Sequence, residues 1–188
     1  MSTRSVVTTP GADGNTRPGG LLYEFIVTTA QASMSIATAD FAGFKSLRVE
    51  VDAIAETTGN SVNLIRFNGS SAANYSSSYA DVDAAGTSPT LAGSTTDGRL
   101  KNALRGHTFS DVSIQSSRYD ISGWEDTDRG TSVSSQGYWD SAAASDDSDI
   151  HSSIMSGVWT LTTAVTSIDV VSSAGNYDVD SMVRVYAY

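Results

Sequence analysis

The sequence predicts an all-β domain, an antiparallel two-sheet β-sandwich, and three observations carry this prediction. Of the 188 residues, 31 are Ser and 20 are Thr, whereas only 4 are Glu and 2 are Lys, so residues that favour surface helices are scarce. Hydrophobic residues make up 39% of the chain and recur with a period of two, which favours strands over disorder. About eight or more strand candidates are separated by long loops, as is typical of sandwiches.

The length favours one domain over residues 21–188. Residues 1–20 are interrupted by Pro and Gly and predict an extended N-terminal arm. We expect long loops at about 70–106 and 120–149, because both ranges are rich in Ser, Asp and Gly and lack a clear hydrophobic period. A short helix is expected within the first of these loops, at Leu100–Leu104.

The first strands are predicted at Leu21–Thr29, Ser33–Thr38 and Ser46–Glu56. The first should bury alternate residues from Leu21 to Val27. The third alternates most clearly, with apolar side chains at every second position from Leu47 to Ala53. Thr57-Thr58-Gly59-Asn60 has turn chemistry, so a strand at Ser61–Phe67 is expected to pair with the third strand as an antiparallel hairpin.

The later part of the chain predicts a strand at Thr108–Ser116 and three closing strands. In the last of these, Val183, Val185 and Ala187 are expected to share one face. The closing strands are placed at Ile154–Thr162, Thr166–Ser172 and Ser181–Tyr188.

Charge and composition exclude several partners. The formal net charge is −10, and Lys and Arg are scattered singly, which argues against a nucleic acid or an anionic membrane as partner. No apolar run is long enough to span a bilayer, and residues 1–20 contain no apolar secretory core. The absence of cysteine excludes disulfides and thiolate metal sites.

The sequence predicts no catalytic residue, no cofactor and no metal. His107 and His151 are the only imidazoles, and neither a G-x-S-x-G nor an H-E-x-x-H motif is present. If the chain bound a metal, calcium would fit best, because acidic clusters occur on loops. None of these clusters continues into an EF-hand loop. Glycoside hydrolysis is disfavoured because no pair of acids has a defined spacing. The acidic clusters are Asp81/Asp83, Asp126/Asp128 and Asp146/Asp147/Asp149.

Aromatic residues in the loop-like segments leave two interpretations open. Tyr and Trp on loops can anchor a protein interface or stack on a sugar ring. They can equally form a satellite core beneath the long loops. These residues are Tyr75, Tyr79, Trp124, Tyr138 and Trp139.

Two segments resemble a known class of protein. The first, Leu47 to Tyr75, contains a hydrophobic strand, a turn and a strand ending in Arg66-Phe67-Asn68-Gly69. The second, Ser156 to Tyr188, contains a tryptophan strand, a Gly-Asn-Tyr loop and a closing strand. Both are similar to small β-sandwich structural proteins of tailed bacteriophages, although the family pattern usually ends in Leu-Tyr-Gly, where this chain has Ala187-Tyr188.

The resemblance implies a jelly-roll-like virion protein without catalytic activity. Proteins of this class act as capsid cement or decoration subunits, often trimers, which here implies the major capsid protein of the same virion as partner and the capsid surface as location. The alternative is a tail or fibre subunit that binds a host surface glycan. The candidate interface residues are Arg4 and Arg17 in the arm, which suit an acidic shell, and the loop aromatics Trp124, Tyr138 and Trp139.

Overall fold

The structure is a computed structural model that describes residues 20–54, 63–83, 90–97, 100–101, 114–140, 150–172 and 175–188. These residues form strands and one short 3₁₀ helix at Ala39–Phe41, so the predicted all-β class is confirmed. In chain order the strands are β1 (Gly20–Ile26), β2 (Ser33–Ala37), β3 (Ser46–Ile54), β4 (Asn63–Phe67), β5 (Tyr75–Asp83), β6 (Thr90–Asp97), β7 (Leu100–Lys101), β8 (Ile114–Ser122), β9 (Thr131–Asp140), β10 (Ile150–Trp159), β11 (Ser167–Ser172) and β12 (Met182–Ala187).

The strands form two antiparallel sheets, as expected for a β-sandwich. One sheet has eight strands in the order β1-β12-β3-β8-β9-β10-β5-β6, and the other has four in the order β2-β11-β4-β7. Every described pair of neighbouring strands is antiparallel. Side chains from both sheets join one cluster of buried hydrophobic residues.

The strongest sequence alternation lies in β3, an interior strand of the large sheet. In β3, each of the apolar residues from Leu47 to Ala53 at every second position is at most 2% exposed. In β12, Val183, Val185 and Ala187 are buried in the same way, which confirms the predicted shared face. The two strands lie side by side, with Val49 opposite Val185, so their apolar faces form one continuous surface towards the core.

The expected inward face of β1 needs a correction. A register shift occurs between Leu21 and Tyr23, and this irregularity puts Leu22 rather than Leu21 into the core. Tyr23 and Phe25 pack against the core while remaining partly exposed. A β-bulge adds one residue to one strand, so the alternation changes face where the bulge occurs.

The predicted β3–β4 hairpin is wrong. β3 pairs with β12 and β8 in the large sheet, whereas β4 pairs with β11 and β7 in the small sheet. The expected turn lies outside the described residues. Alternation predicts which residues of a strand face the core, but it does not specify the neighbouring strand, and each strand buries its apolar side chains from its own sheet.

The two predicted long loops are also wrong in part, because strands lie within both. β5, β6 and β7 fall within 70–106, and β9 falls within 120–149. Leu100–Lys101 is the strand β7, so the expected helix does not begin there. The predicted strand at Thr108–Ser116 is observed from Ile114 and continues to Ser122, and its earlier residues lie outside the described part.

β5 and β9 escaped prediction because small polar residues occupy buried positions in them. Ser77 in β5 and Thr131 and Ser135 in β9 are all at most 7% exposed, although none is hydrophobic. A search for hydrophobic alternation therefore misses them. They are placed by the ladders of hydrogen bonds to neighbouring strands, which are independent of side-chain polarity.

A buried polar network joins the two sheets at Asn63, at the start of β4. The Asn63 side chain donates to Ser117 Oγ at 3.1 Å and accepts from the Tyr177 hydroxyl at 3.0 Å. The Tyr119 hydroxyl donates to the Asn63 carbonyl, also at 3.0 Å. Burial raises the pKa of both tyrosines above the ordinary value of 10.0, so both hydroxyls remain protonated donors at neutral pH.

Candidate functional site

Phe67, Asn68 and Gly69, from the end of β4 and the turn after it, form with Tyr75 and Trp159 a cluster that we call the aromatic corner. The Trp159 ring lies 5.6 Å from Phe67 and 6.4 Å from Tyr75, measured between ring centroids. The Phe67 amide donates to the Tyr75 hydroxyl at 2.8 Å. All three aromatic residues are at most 1% exposed, so they pack and cannot present a binding surface.

Asn68 fastens this corner to the strand β11. Asn68 and Gly69 have positive φ values of 54° and 64°, and the Ser70 amide donates to the Phe67 carbonyl at 2.9 Å, as in a type I′ turn. The Asn68 side-chain oxygen accepts from the Thr166 amide at 2.6 Å and from the Ser167 amide at 3.2 Å. Asn68 therefore meets both the conformational and the hydrogen-bonding demands of the turn.

The two segments that carry the resemblance meet in the fold. β3 and β4 belong to the first segment, and they pair with β12 and β11 of the second. Tyr75, the last residue of the first segment, lies opposite Trp159 of the second. These motif residues therefore hold the sandwich together, and the corner offers no open chemical site.

The outer face of the large sheet has a charged half, formed by β1, β12, β3 and β8. Arg48 Nε donates to Asp120 Oδ1 at 2.8 Å. Arg184 lies between two acids, 3.3 Å from Glu24 and 3.2 Å from Asp52. The hydrogen bond to Asp120 raises the pKa of Arg48, which therefore stays charged. Opposite charges thus neutralise one another across adjacent strands.

The other half of this face has no charged side chain among its described residues on β9 and β10. Both strands direct polar, uncharged groups outwards, mainly serine hydroxyls. The outward-facing residues are Ser132, Ser134, Gln136 and Tyr138 on β9 and Ser152, Ile154 and Ser156 on β10.

A groove lies where the charged and uncharged halves meet, and we call it the serine groove. Its volume is about 700 Å³. The charged pair Arg48 and Asp120 lines it together with Tyr188, which is 39% exposed. The serines that line it are Ser46, Ser122, Ser132, Ser134 and Ser156. Sequence reasoning missed this groove because its residues come from separate strands and carry no local motif.

Of the predicted interface residues, the structure describes the side chains of Trp124 and Tyr138, and these two differ in exposure. Trp124 is only 4% exposed, so it is a packing residue. It borders a smaller surface depression of about 470 Å³. Tyr138 is 53% exposed on the outer face of β9. The backbone of Trp139 lies in β9, but its side chain is outside the described part, as are Arg4 and Arg17 entirely.

The expected loop position of the aromatics is wrong for several of them. Tyr75, Tyr79, Tyr138 and Trp139 lie in strands. Tyr75 is buried in the aromatic corner, where burial raises its pKa. For Tyr75 and Trp124, the core interpretation therefore holds. Tyr138 keeps an exposed ring that can contact another molecule.

The acidic and imidazole candidates provide no assembled site in the described part. Asp126 Oδ1 accepts from the Asp128 amide at 2.8 Å, which makes this pair a local turn. The remaining side chains of the acidic clusters, like those of His107 and His151, lie outside the described residues. Within the described residues, no three acidic or imidazole groups come close enough to hold a metal ion.

Among the described residues there is no helix with the length and apolar character needed to cross a membrane. Comparison with protein-family models, with curated proteins and with solved structures finds no match for this chain.

Proposed function

We propose that this chain is a bacteriophage virion structural protein, and specifically a capsid cement or decoration protein that stabilises the head shell. It acts through protein–protein contacts and has no catalytic activity. The observation that supports the proposal is the meeting of the two phage-like segments at the aromatic corner, where Asn68 and Trp159 have defined roles. Those residues stabilise the sandwich, and its outer sheet faces are free to contact other proteins.

The proposed partners are the major capsid protein of the same virion and further copies of this chain, with a trimer favoured. Cement proteins gain strength by repeating a modest contact around a symmetric assembly, because each added contact becomes intramolecular. A sandwich with paired surface charges suits this role. The arm, with Arg4 and Arg17, is proposed to extend the contact onto an acidic shell surface.

Copy number per virion tests the proposal. Quantitative mass spectrometry of purified particles is expected to find hundreds of copies, in a simple ratio to the major shell protein. Deletion of the gene is expected to lower the temperature at which heads rupture. A protein absent from the particle would overturn the proposal.

A second candidate is a tail or fibre subunit that binds a host surface glycan. The observation that favours it is Tyr138, which presents a 53% exposed ring on a sheet face whose described side chains on β9 and β10 are uncharged. Trp124 does not support it, because that ring is buried. A count of a few to a few tens of copies per particle would select this candidate over a cement protein.

A further inference from the structure

We propose that the serine groove binds a neutral saccharide. This inference goes beyond a structural role and applies whether the protein lies on the head or on the tail. It differs from the loop-aromatic hypothesis in its residues, because it places the sugar against Tyr188, Arg48 and Asp120.

The hydroxyl groups of the groove form an ordered array. Ser122 lies opposite both Ser46 and Ser132 on the neighbouring strands, and Ser134 lies opposite both Asp120 and Ser156. Neighbouring strands are about 4.8 Å apart, so these polar groups stand at regular intervals across the sheet.

Each serine hydroxyl can donate one hydrogen bond and accept others. The side-chain hydroxyls of these five serines make no hydrogen bond to another described residue, so they are available to a ligand. A polyhydroxylated ligand, whose own hydroxyls both donate and accept, matches such an array.

The charge of the groove favours a neutral ligand. Arg48 and Asp120 form an ion pair with an N–O distance of 2.8 Å, so the positive charge is already balanced. Arg118 also contacts Asp120, at 2.9 Å. These contacts fill most of the acceptor positions of the carboxylate, yet they hold it in place to accept from one further hydroxyl. A fixed ion pair of this kind can orient a sugar hydroxyl.

Tyr188 supplies the apolar element that a sugar ring requires. Its backbone amide donates to the Ser46 carbonyl at 2.9 Å, which fixes the residue at the edge of the groove. The Arg48 guanidinium lies 5.1 Å from the ring centroid and further restrains the side chain. An aromatic side chain with an apolar ring and a polar tip suits a surface that is partly wet.

The groove is suited to binding rather than to hydrolysis. Asp120 carries the single acidic side chain among the described residues that line it. Glycoside hydrolysis ordinarily requires two opposed carboxyl groups. We therefore expect a bound oligosaccharide to be recovered unchanged.

Amide chemical-shift titration of the full ¹⁵N-labelled chain tests the inference. The probes are three neutral oligosaccharides, maltohexaose, hexa-N-acetylchitohexaose and mannohexaose, at up to about 10 mM, because a shallow groove is expected to bind in the millimolar range. Inorganic phosphate serves as an anionic probe. At least one sugar should shift the amides of Ser122, Ser134 and Tyr188 in a saturable manner.

Matched variants separate the groove from the rest of the face. Tyr188→Ala should weaken binding at least about tenfold, a loss of about 1.4 kcal/mol, whereas Tyr138→Ala should leave it unchanged. Ser134→Ala should weaken binding, Ser134→Thr should retain it, and Ser152→Ala, on the same face but outside the groove, should have no effect.

Three results would overturn the inference. The first is the absence of groove shifts with all three sugars, and the second is equal binding by the wild type and Tyr188→Ala. The third is a response to phosphate but not to sugars, which would make the groove an anion site. None of these results affects the copy-number test, so the two proposals fail independently.

Discussion

The aromatic corner consists of buried aromatic residues and a turn, whereas the serine groove consists of exposed hydroxyl groups and an ion pair. In the corner, Asn68 uses its side chain on Thr166 and Ser167, and Trp159 is 1% exposed. In the groove, the hydroxyls face water and the charges of Arg48 and Asp120 cancel. The corner is buried and offers no open surface to a ligand, whereas we expect the groove to contribute little to stability.

This difference shows that the residues of the motif and the residues available for binding are not the same. Phe67, Asn68 and Trp159, on which the proposal of a phage structural protein rests, are residues that the fold needs at a turn and between two sheets. Such residues indicate an architecture, and an architecture can support many functions. The residues available for binding lie elsewhere, on a face that the motif does not include.

The largest expected effect comes from breaking the corner. Trp159→Ala removes a buried ring that contacts both Phe67 and Tyr75, and it should lower the free energy of unfolding by about 3–5 kcal/mol. Urea denaturation measures this change. Tyr138→Ala is the matched control at an exposed ring, with an expected effect within about 0.5 kcal/mol. Equal losses in the two variants would contradict the comparison.

The close approach of Gly130 to Trp159 gives a second test of the corner. A Cβ atom at residue 130 would lie 2.4 Å from the Trp159 carbonyl oxygen, which is backbone and cannot move aside easily. Gly130→Ala should therefore lower the unfolding free energy by about 1–3 kcal/mol in thermal or urea denaturation. If Gly130→Ala were as stable as the wild type, the backbone of β10 at Trp159 would be able to move away from the added methyl group, and the corner would not be tightly packed.

Alkaline pH should lower the stability that the buried tyrosines Tyr119 and Tyr177 provide. Burial raises the pKa of Tyr119 and Tyr177 above 10.0, so above that pH the unfolded chain loses protons that the folded chain retains. The stability contributed by these groups is complete below pH 10.0 and falls as the pH rises, by about 1.4 kcal/mol per pH unit for each tyrosine. Unfolding measured from pH 9 to 11 should show a shallower decline in Tyr119→Phe; an unchanged slope would count against this account.

The smallest effect is expected in the groove. Arg48→Ala removes a partly exposed ion pair with Asp120 and a contact with the Tyr188 ring. Surface ion pairs contribute about 0–1 kcal/mol, so the unfolding free energy should fall by no more than about 1 kcal/mol. Added salt should reduce the difference between Arg48→Ala and the wild type. A loss comparable to that of Trp159→Ala would make the groove part of the framework.

The sequence is sufficient to predict the fold class and the strands β3 and β12. β3 and β12 alternate apolar and polar residues because one face of each packs on the core. Strand partners were not predictable, since β3 and β4 lie in different sheets despite the turn signal between them. β9 was missed because Thr131 and Ser135 occupy buried positions that hydrophobic alternation assigns to apolar residues.

The candidate site was less predictable than the fold. Trp124 is of a residue type that often binds ligands, but the surrounding residues bury it. The sequence alone does not show which residues surround it. Tyr188 and Asp120 meet only because β12 and β8 both flank β3. A site assembled from residues so far apart in the chain depends on strand order, which local patterns do not specify.

The most direct test of the central comparison is urea unfolding of Asn68→Ala and Ser134→Ala, measured side by side. Asn68→Ala loses the bonds to Thr166 and Ser167 and places an Ala at φ 54°, so we predict a loss of about 2 kcal/mol. Asn68→Gly, which tolerates that φ, should lose less. Ser134→Ala should change stability by less than about 0.5 kcal/mol. Similar losses in Asn68→Ala and Ser134→Ala would contradict the division between a corner that holds the fold and a groove that is free to bind.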